Sequence, residues 1–202
     1  MKKLLTTAAM MSAALSLMSA PAQAQDAATD SIAKHEIGAG LTTGDVILAN
    51  IRYGYNVNKN FRLEAEAATG GPISNGGGFI FSDDEIDYWL SGFVVGRMPY
   101  GSNNSAFFAR AGLGVSQTTA QAFTSQTSLF GPSGVSYPEL TANGTVAQVG
   151  LGVEHFFNDK FGVRLEGGYA EDSSFDEISD AAGRVPRDTG YGTLSASAVV
   201  RF

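Results

Sequence analysis

From Lys34 onward the sequence breaks into runs in which apolar side chains alternate with small or polar ones, and that period of two leaves little freedom in the fold. Such alternation is the mark of a β-strand with one apolar and one polar face. The last run shows it most plainly. Tyr191 to Phe202 sets Leu194, Ala196, Ala198, Val200 and Phe202 on one parity, and Thr193, Ser195, Ser197 and Arg201 on the other, with Val199 the break in the pattern. A strand that closes on an exposed Phe is a liability at a sheet edge in water, where an apolar edge invites aggregation. It suits the closing strand of a barrel whose outer face meets lipid.

Seven further runs precede it. Lys34–Leu41 places Ile37, Ala39 and Leu41 opposite Glu36, Gly38 and Gly40; a short turn over Thr42, Thr43, Gly44 and Asp45 follows. Val46–Val57 sets Ile47, Ala49, Ile51, Tyr53 and Tyr55 against Leu48, Asn50, Arg52, Gly54 and Asn56. Phe61 to about Thr69 sets Leu63, Ala65 and Ala67 against Arg62, Glu64 and Glu66. The fourth run, Tyr88–Met98, alternates least clearly; Leu90, Val94 and Met98 are placed outward, with Phe93 and Arg97 inward. Ala106–Ser116, Thr145–Phe157 and Phe161–Ala170 alternate cleanly. These runs have about the ~9–11 residues that a tilted membrane strand needs.

The connections alternate as well. Those after the second, fourth and sixth runs are short; those after the third, fifth and seventh are long (70–87, 117–144 and 171–189). Short periplasmic turns and long extracellular loops are the pattern of an up-and-down outer-membrane barrel. Tyr55, Phe61, Met98, Tyr100, Phe107, Phe157 and Phe161 flank the short turns, and Phe202 ends at their level. Together they predict a girdle at the periplasmic interface, with both termini on that side. A weak internal echo supports the register. Asn58-Lys-Asn-Phe-Arg-Leu-Glu64 is echoed by Asn158-Asp-Lys-Phe-Gly-Val-Arg-Leu-Glu166, and its two extra residues preserve the face on which Arg and Glu lie.

The N-terminus carries an export signal: Lys2 and Lys3, an apolar stretch from Leu4 to Met18, then Ala22-Gln-Ala24 as a small-x-small cleavage site. The expected organisation is a signal peptide over 1–24, a polar leader over 25–33 and a barrel over 34–202. Without cysteine, the chain has neither a disulfide framework nor a lipidated cysteine. With 20 acidic residues against 13 basic ones, two of the latter in the signal, nucleic acid and anionic surfaces are poor candidates as bulk partners.

The signal peptide, the eight alternating runs, the Arg-Leu-Glu strands after Asn-containing turns and the terminal Val199-Val200-Arg201-Phe202 together resemble the small outer-membrane β-barrel family. This group includes the opacity-type surface proteins and the transmembrane domain of outer membrane protein A-like proteins. The resemblance implies an all-β fold, an eight-stranded antiparallel up-and-down transmembrane barrel in the outer membrane of a Gram-negative-type cell. It implies lipid and lipopolysaccharide as surroundings, and a barrel-assembly machinery that reads the final strand, with Phe202 as the assembly signal. Members include adhesins, structural proteins and porins, so activity is left open.

The inward parity carries the chemistry. It collects Arg52, Arg62, Arg97, Arg110, Arg164 and Arg201 with Glu36, Glu64, Glu66, Glu154 and Glu166. Near balance of charge is what a closed lumen requires, because an unpaired buried charge is costly. Such a set either lines an ion-selecting pore or plugs the barrel, and the plug is favoured because eight strands enclose only enough space for their own side chains. The histidines, His35 and His155, both map to the periplasmic end, away from an outer-leaflet substrate. No Ser-His-acid arrangement assembles at the outer end, so no enzyme, cofactor or metal centre is expected. The acidic stretches Asp83-Asp84-Glu85-x-Asp87 and Glu171-Asp172, with Asp176, Glu177 and Asp180, match no defined calcium loop and read as solvated, with Ca²⁺ bridging lipopolysaccharide phosphates as the alternative. Phe123, Leu129, Phe130 and Tyr137 in the middle loop either form an extracellular contact surface or pack over the barrel mouth. The expected function is a structural or surface-interaction protein, with a small porin as the alternative.

Overall fold

The computed structural model describes residues 33–44, 47–70, 85–101, 104–121, 124–125, 135–136, 139–174, 177 and 190–202. The signal peptide and its cleavage site, most of the leader, Asp45, Asp83, Asp84, Asp176 and Asp180 lie outside the described residues, as do the side chains of Phe123, Leu129, Phe130 and Tyr137.

Eight strands close on themselves: β1 (His35–Gly44), β2 (Leu48–Asn56), β3 (Phe61–Gly70), β4 (Glu85–Tyr100), β5 (Ser105–Gln121), β8 (Glu139–Phe156), β9 (Phe161–Asp172) and β10 (Gly190–Arg201). Between β5 and β8 a two-residue ladder joins β6 (Thr124–Ser125) to β7 (Val135–Ser136). Each barrel strand pairs antiparallel with its chain neighbour, and β1 pairs with β10 to seal the wall. At that seam Ile37 faces Val200, and His35 and Phe202 exchange N–H···O bonds of 3.1 and 3.0 Å. Closure removes the exposed sheet edge.

The alternation becomes a wall turned inside out. Each barrel strand presents an aliphatic residue that is more than half exposed: Leu41, Ile51, Leu63, Leu90, Leu113, Leu151, Leu165 and Leu194. Arg62, Glu154, Ser116, Thr118 and Asp172 meanwhile lie fully buried inside. An apolar exterior around a polar interior is stable in hydrocarbon and unstable in water.

The two halves of the internal echo fold alike. Asn58 Oδ1 accepts from the N–H groups of Asn60 and Phe61 at 2.8 and 2.9 Å. Asn158 Oδ1 accepts from those of Lys160 and Phe161 at 2.9 and 2.8 Å. Each side chain holds the amides of a turn that the strand ladder leaves free.

Several boundaries differ from the sequence expectation. Thr42, Thr43 and Gly44 belong to β1 and not to a turn. Glu85 and Asp87 belong to β4, β5 runs on to Gln121, and β8 starts at Glu139. Threonine, glutamine and asparagine carry these extensions; their apolar contrast is weak, but their backbones continue the ladder. The unclear phase of the fourth run also has a cause. A register shift between Ile86 and Tyr88 makes Asp87 a bulge, so buried residues switch from even (Ile86) to odd (Trp89, Ser91, Phe93) numbers.

Candidate functional site

The interior has two storeys, and the lower one is ionic. All eight barrel strands send a charged side chain into it, and the eleven inward-parity residues singled out from the sequence meet there. Glu154 lies toward the short turns. Its Oε2 accepts from both terminal nitrogens of Arg62 at 3.1 Å, and its Oε1 accepts from Arg97 Nε at 2.8 Å, with Arg201 Nη2 at 3.5 Å. Glu36 ties Arg62 to Arg201, whose Nε lies at 2.8 Å. Arg62 Nε then lies 2.7 Å from Glu64 Oε1, an ion contact without hydrogen-bond alignment, and leads to the next layer.

In that layer Arg164 reaches Glu64 at 2.5 Å and Glu166 at 3.3 Å. Arg52 reaches Glu66 at 2.5 Å and Glu166 at 3.4 Å. Arg110 spans Glu66 at 2.7 Å and, through Nε, Glu166. Every carboxylate therefore meets at least two guanidinium groups, and each guanidinium has at least one carboxylate. That is the condition under which buried charge becomes tolerable. Three rings lie flat beneath these cations: Phe93 under Arg110 at 4.0 Å, Phe108 under Arg164 at 3.8 Å and Phe156 under Arg201 at 3.2 Å.

Glycine makes room for the layer. A Cβ on Gly54 would lie 2.9 Å from Arg62 Cδ, so the cross-strand position beside this arginine must stay bare. A cavity of about 10 Å³ remains, bordered by Glu36, Arg52, Gly54, Glu64, Arg164 and Ser197. It has room for roughly one water molecule, and Glu64 Oε2, Arg164 Nε and Ser197 Oγ, which make no hydrogen bond among the described residues, belong to its lining residues.

The upper storey is an apolar cluster around one buried carboxylate, and the sequence pattern alone does not reveal it. Leu48, Ala68, Ile86, Trp89, Val146, Ala170 and Tyr191 pack into one cluster, with Trp89 stacked on Tyr191 at 5.9 Å between ring centres. At its heart sits Asp172, bonded to the Trp89 indole. It was expected in a solvated acidic stretch, yet it is fully buried. Its Oδ2 accepts from Trp89 Nε1 at 3.0 Å. Its Oδ1 accepts from Ser116 Oγ at 2.6 Å and from the Ser174 N–H and Oγ at 2.9 and 2.8 Å. Ser174 in turn bonds Thr118 at 2.8 Å. Four donors satisfy this carboxylate, and among the described residues no cation pairs with it. The sequence did carry a signal for Trp89: it shares inward parity with Phe93 and Arg97 on the same strand.

The histidines lie at the end of the short turns. His35 Nδ1 bonds the Tyr53 hydroxyl at 2.7 Å, and its ring stacks on Phe202 at 5.7 Å. His155 Nδ1 bonds Ser105 Oγ at 2.8 Å and its ring meets Phe157 edge-on. Among the described residues neither ring pairs with an Asp or Glu side chain. Of the acidic loop residues, Glu85 and Glu177 are exposed, and Asp87 is held by Thr119 at 2.8 Å. Among the described residues no group of three or more His, Asp or Glu side chains is arranged to hold a metal ion. The girdle residues Tyr55, Tyr100, Phe107, Phe157 and Phe202 are exposed at one end, with Phe61 half-buried.

The family description that matches is the outer membrane protein beta-barrel domain, over residues 10–202. Among solved structures the chain is similar to Neisserial surface protein A, at 15% identity over 83% of this chain and 94% of that one, with a TM-score of 0.51. It is also similar to the N-terminal β-barrel domain of OprF from Pseudomonas aeruginosa (12% identity, 83% and 96% covered, TM-score 0.47) and to Ail, the attachment invasion locus protein of Yersinia pestis (12% identity, 83% and 95% covered, TM-score 0.45). At such identities the likeness is one of fold. No curated protein matches the sequence.

Proposed function

The chain belongs to the outer membrane protein beta-barrel domain family, and on that premise we propose that it is an integral outer-membrane protein whose barrel is a sealed anchor. Its structural or surface-interaction role is then carried by the end with the long loops. The observation that carries this reading is the filled interior, an ionic network below and an apolar cluster above. A water-filled channel needs a continuous polar path, and the Trp89–Tyr191 storey interrupts it. The test is conductance of the purified protein in planar bilayers. Silence supports the anchor; steady channels of reproducible size overturn it in favour of a small porin.

The short turns and Phe202 face the periplasm in this reading, so barrel assembly starts from the C-terminal strand. The signal peptide is removed after Ala24, which N-terminal sequencing of the mature protein checks. The chain acts as no enzyme. His35 and His155 sit at the periplasmic girdle, engaged by Tyr53 and Ser105. A changed lipid A mass spectrum on overexpression would contradict this. Lipopolysaccharide surrounds the upper wall, and an extracellular protein is the natural partner of the long loops.

A further inference from the structure

We infer that Lys34, Lys59 and Lys160 form an arc that binds the phosphate of anionic phospholipids in the leaflet meeting the short turns. This rests on the orientation proposed above. Beyond Lys2 and Lys3 the sequence holds only these three lysines. All three are exposed and all lie at one end of the barrel, while Glu85, Glu139 and Glu177 are exposed at the other. Among the described residues no other exposed side chain is cationic.

The backbone brings the three together on one half of the rim. The Lys160 carbonyl accepts from the Arg201 N–H at 2.8 Å; the next residue, Phe202, exchanges bonds with His35; and His35 follows Lys34. The Lys34 carbonyl accepts from the Asn56 N–H at 2.8 Å, three residues before Lys59. Each step crosses about two strand spacings, or roughly 10 Å, within reach of neighbouring lipid headgroups for a side chain as long as lysine. The β4–β5 turn on the far half of the rim, Gly101 to Asn104, carries no charge.

The same half carries the rings that fix its depth. Tyr53, Tyr55 and Phe202 are exposed around His35, which stacks on Phe202 and lies within 6.0 Å of the Tyr53 ring centre, and Phe161 is exposed on β9 opposite Val200 of β10. Such rings settle at the boundary between hydrocarbon and headgroups. The three ammonium groups are thereby held at phosphate depth, where lysine acts as a compact point charge. Asp159 and the α-carboxylate of Phe202 set two negative charges against the three lysines, so the arc stays net cationic. A soluble acidic partner would need no aromatic girdle around the lysines, which favours the lipid.

The probe is spin-labelled phosphatidylglycerol against spin-labelled phosphatidylcholine, with the barrel reconstituted in phosphatidylcholine vesicles. Electron spin resonance is expected to show preferential retention of the anionic lipid. Each lysine contributes roughly two- to five-fold at low salt, and the preference weakens in concentrated salt. The triple variant K34Q/K59Q/K160Q should keep its heat-modifiable barrel and lose the preference, whereas E85Q at the opposite end should keep it. Equal retention of the two lipids by the unaltered protein overturns the proposal, as does a preference that survives in the triple variant. A separate arm tests the orientation. K59C in intact cells should resist a membrane-impermeant maleimide; labelling would overturn the choice of leaflet and make lipopolysaccharide the phosphate source, while the vesicle result still decides the arc.

Discussion

Glu154 is the residue on which the lower storey depends most, and neutralising it gives the sharpest test of the network. Among the described residues Glu154 is the only carboxylate paired with Arg97, whose remaining acceptor is the Lys59 carbonyl at 3.3 Å. Arg62 and Arg201 retain Glu36 when Glu154 is lost, and Arg62 also keeps Glu64. In Glu154→Gln the damage therefore concentrates on one stranded guanidinium. Removing one partner of a buried pair costs about 3–5 kcal/mol, most of it the penalty of the charge left behind. The amide also turns two donors toward a nest of donors, which adds to the loss.

A double-mutant cycle separates this account from simple loss of packing. Arg97→Met removes the stranded charge while keeping most of the stem, so E154Q/R97M should be more stable than the sum of the single variants implies, by about 2 kcal/mol or more. The measurement is urea unfolding in phospholipid vesicles, read from the heat-modifiable shift in gel migration. Strict additivity within ~0.5 kcal/mol, or an E154Q cost under ~1 kcal/mol, would refute the idea that Glu154 carries a paired buried charge.

Other outcomes follow from the same geometry. Ionic-storey variants that still fold, E154Q/R97M among them, should remain silent in planar bilayers because the apolar storey above still interrupts the lumen; steady channels would place the seal in the charges alone. Trp89→Ala should cost about 3–5 kcal/mol in vesicle unfolding, and Trp89→Phe, which keeps the stack but strips Asp172 of one donor, about 1–3 kcal/mol. Asn58→Ala and Asn158→Ala should each cost about 1 kcal/mol and add in combination, since they hold separate turns. Deleting Phe202 removes the bonds and the stack to His35 and should lower outer-membrane levels on fractionation; normal levels would contradict its role in assembly.

The wall and its register were legible in the sequence because hydrocarbon enforces the alternation. A strand facing lipid on one side cannot place Arg52 or Glu66 outward, so parity alone assigned the luminal positions. Connection lengths then supplied the order of strands. Legibility failed where membrane depth stops acting. In the upper reaches of β5 and β8, Thr118, Thr119, Thr141 and Asn143 have little apolar contrast between faces, and the strands looked like loops. Asp172 was misplaced for a related reason: next to Glu171 it looks like one of two solvated acids, and only the strand's continuation turns it inward. At β4 the bulge at Asp87 reversed the phase, and a fixed period of two cannot follow a register that changes within a run.

The meeting of Glu36 with Arg201 also bears on how the barrel comes into being. These two residues stand 165 positions apart, while Glu36 finds its other cation, Arg62, only 26 positions away. The ionic storey therefore cannot be completed by local hairpins; it needs the first and last strands to meet, the slowest kind of contact for a chain to make. Until the two meet, Arg201 has only Glu154 among the described carboxylates, at 3.5 Å, and one face of Glu36 lacks its cation. Sealing the wall and completing the luminal charge network are thus one event, made where the first and last barrel strands meet.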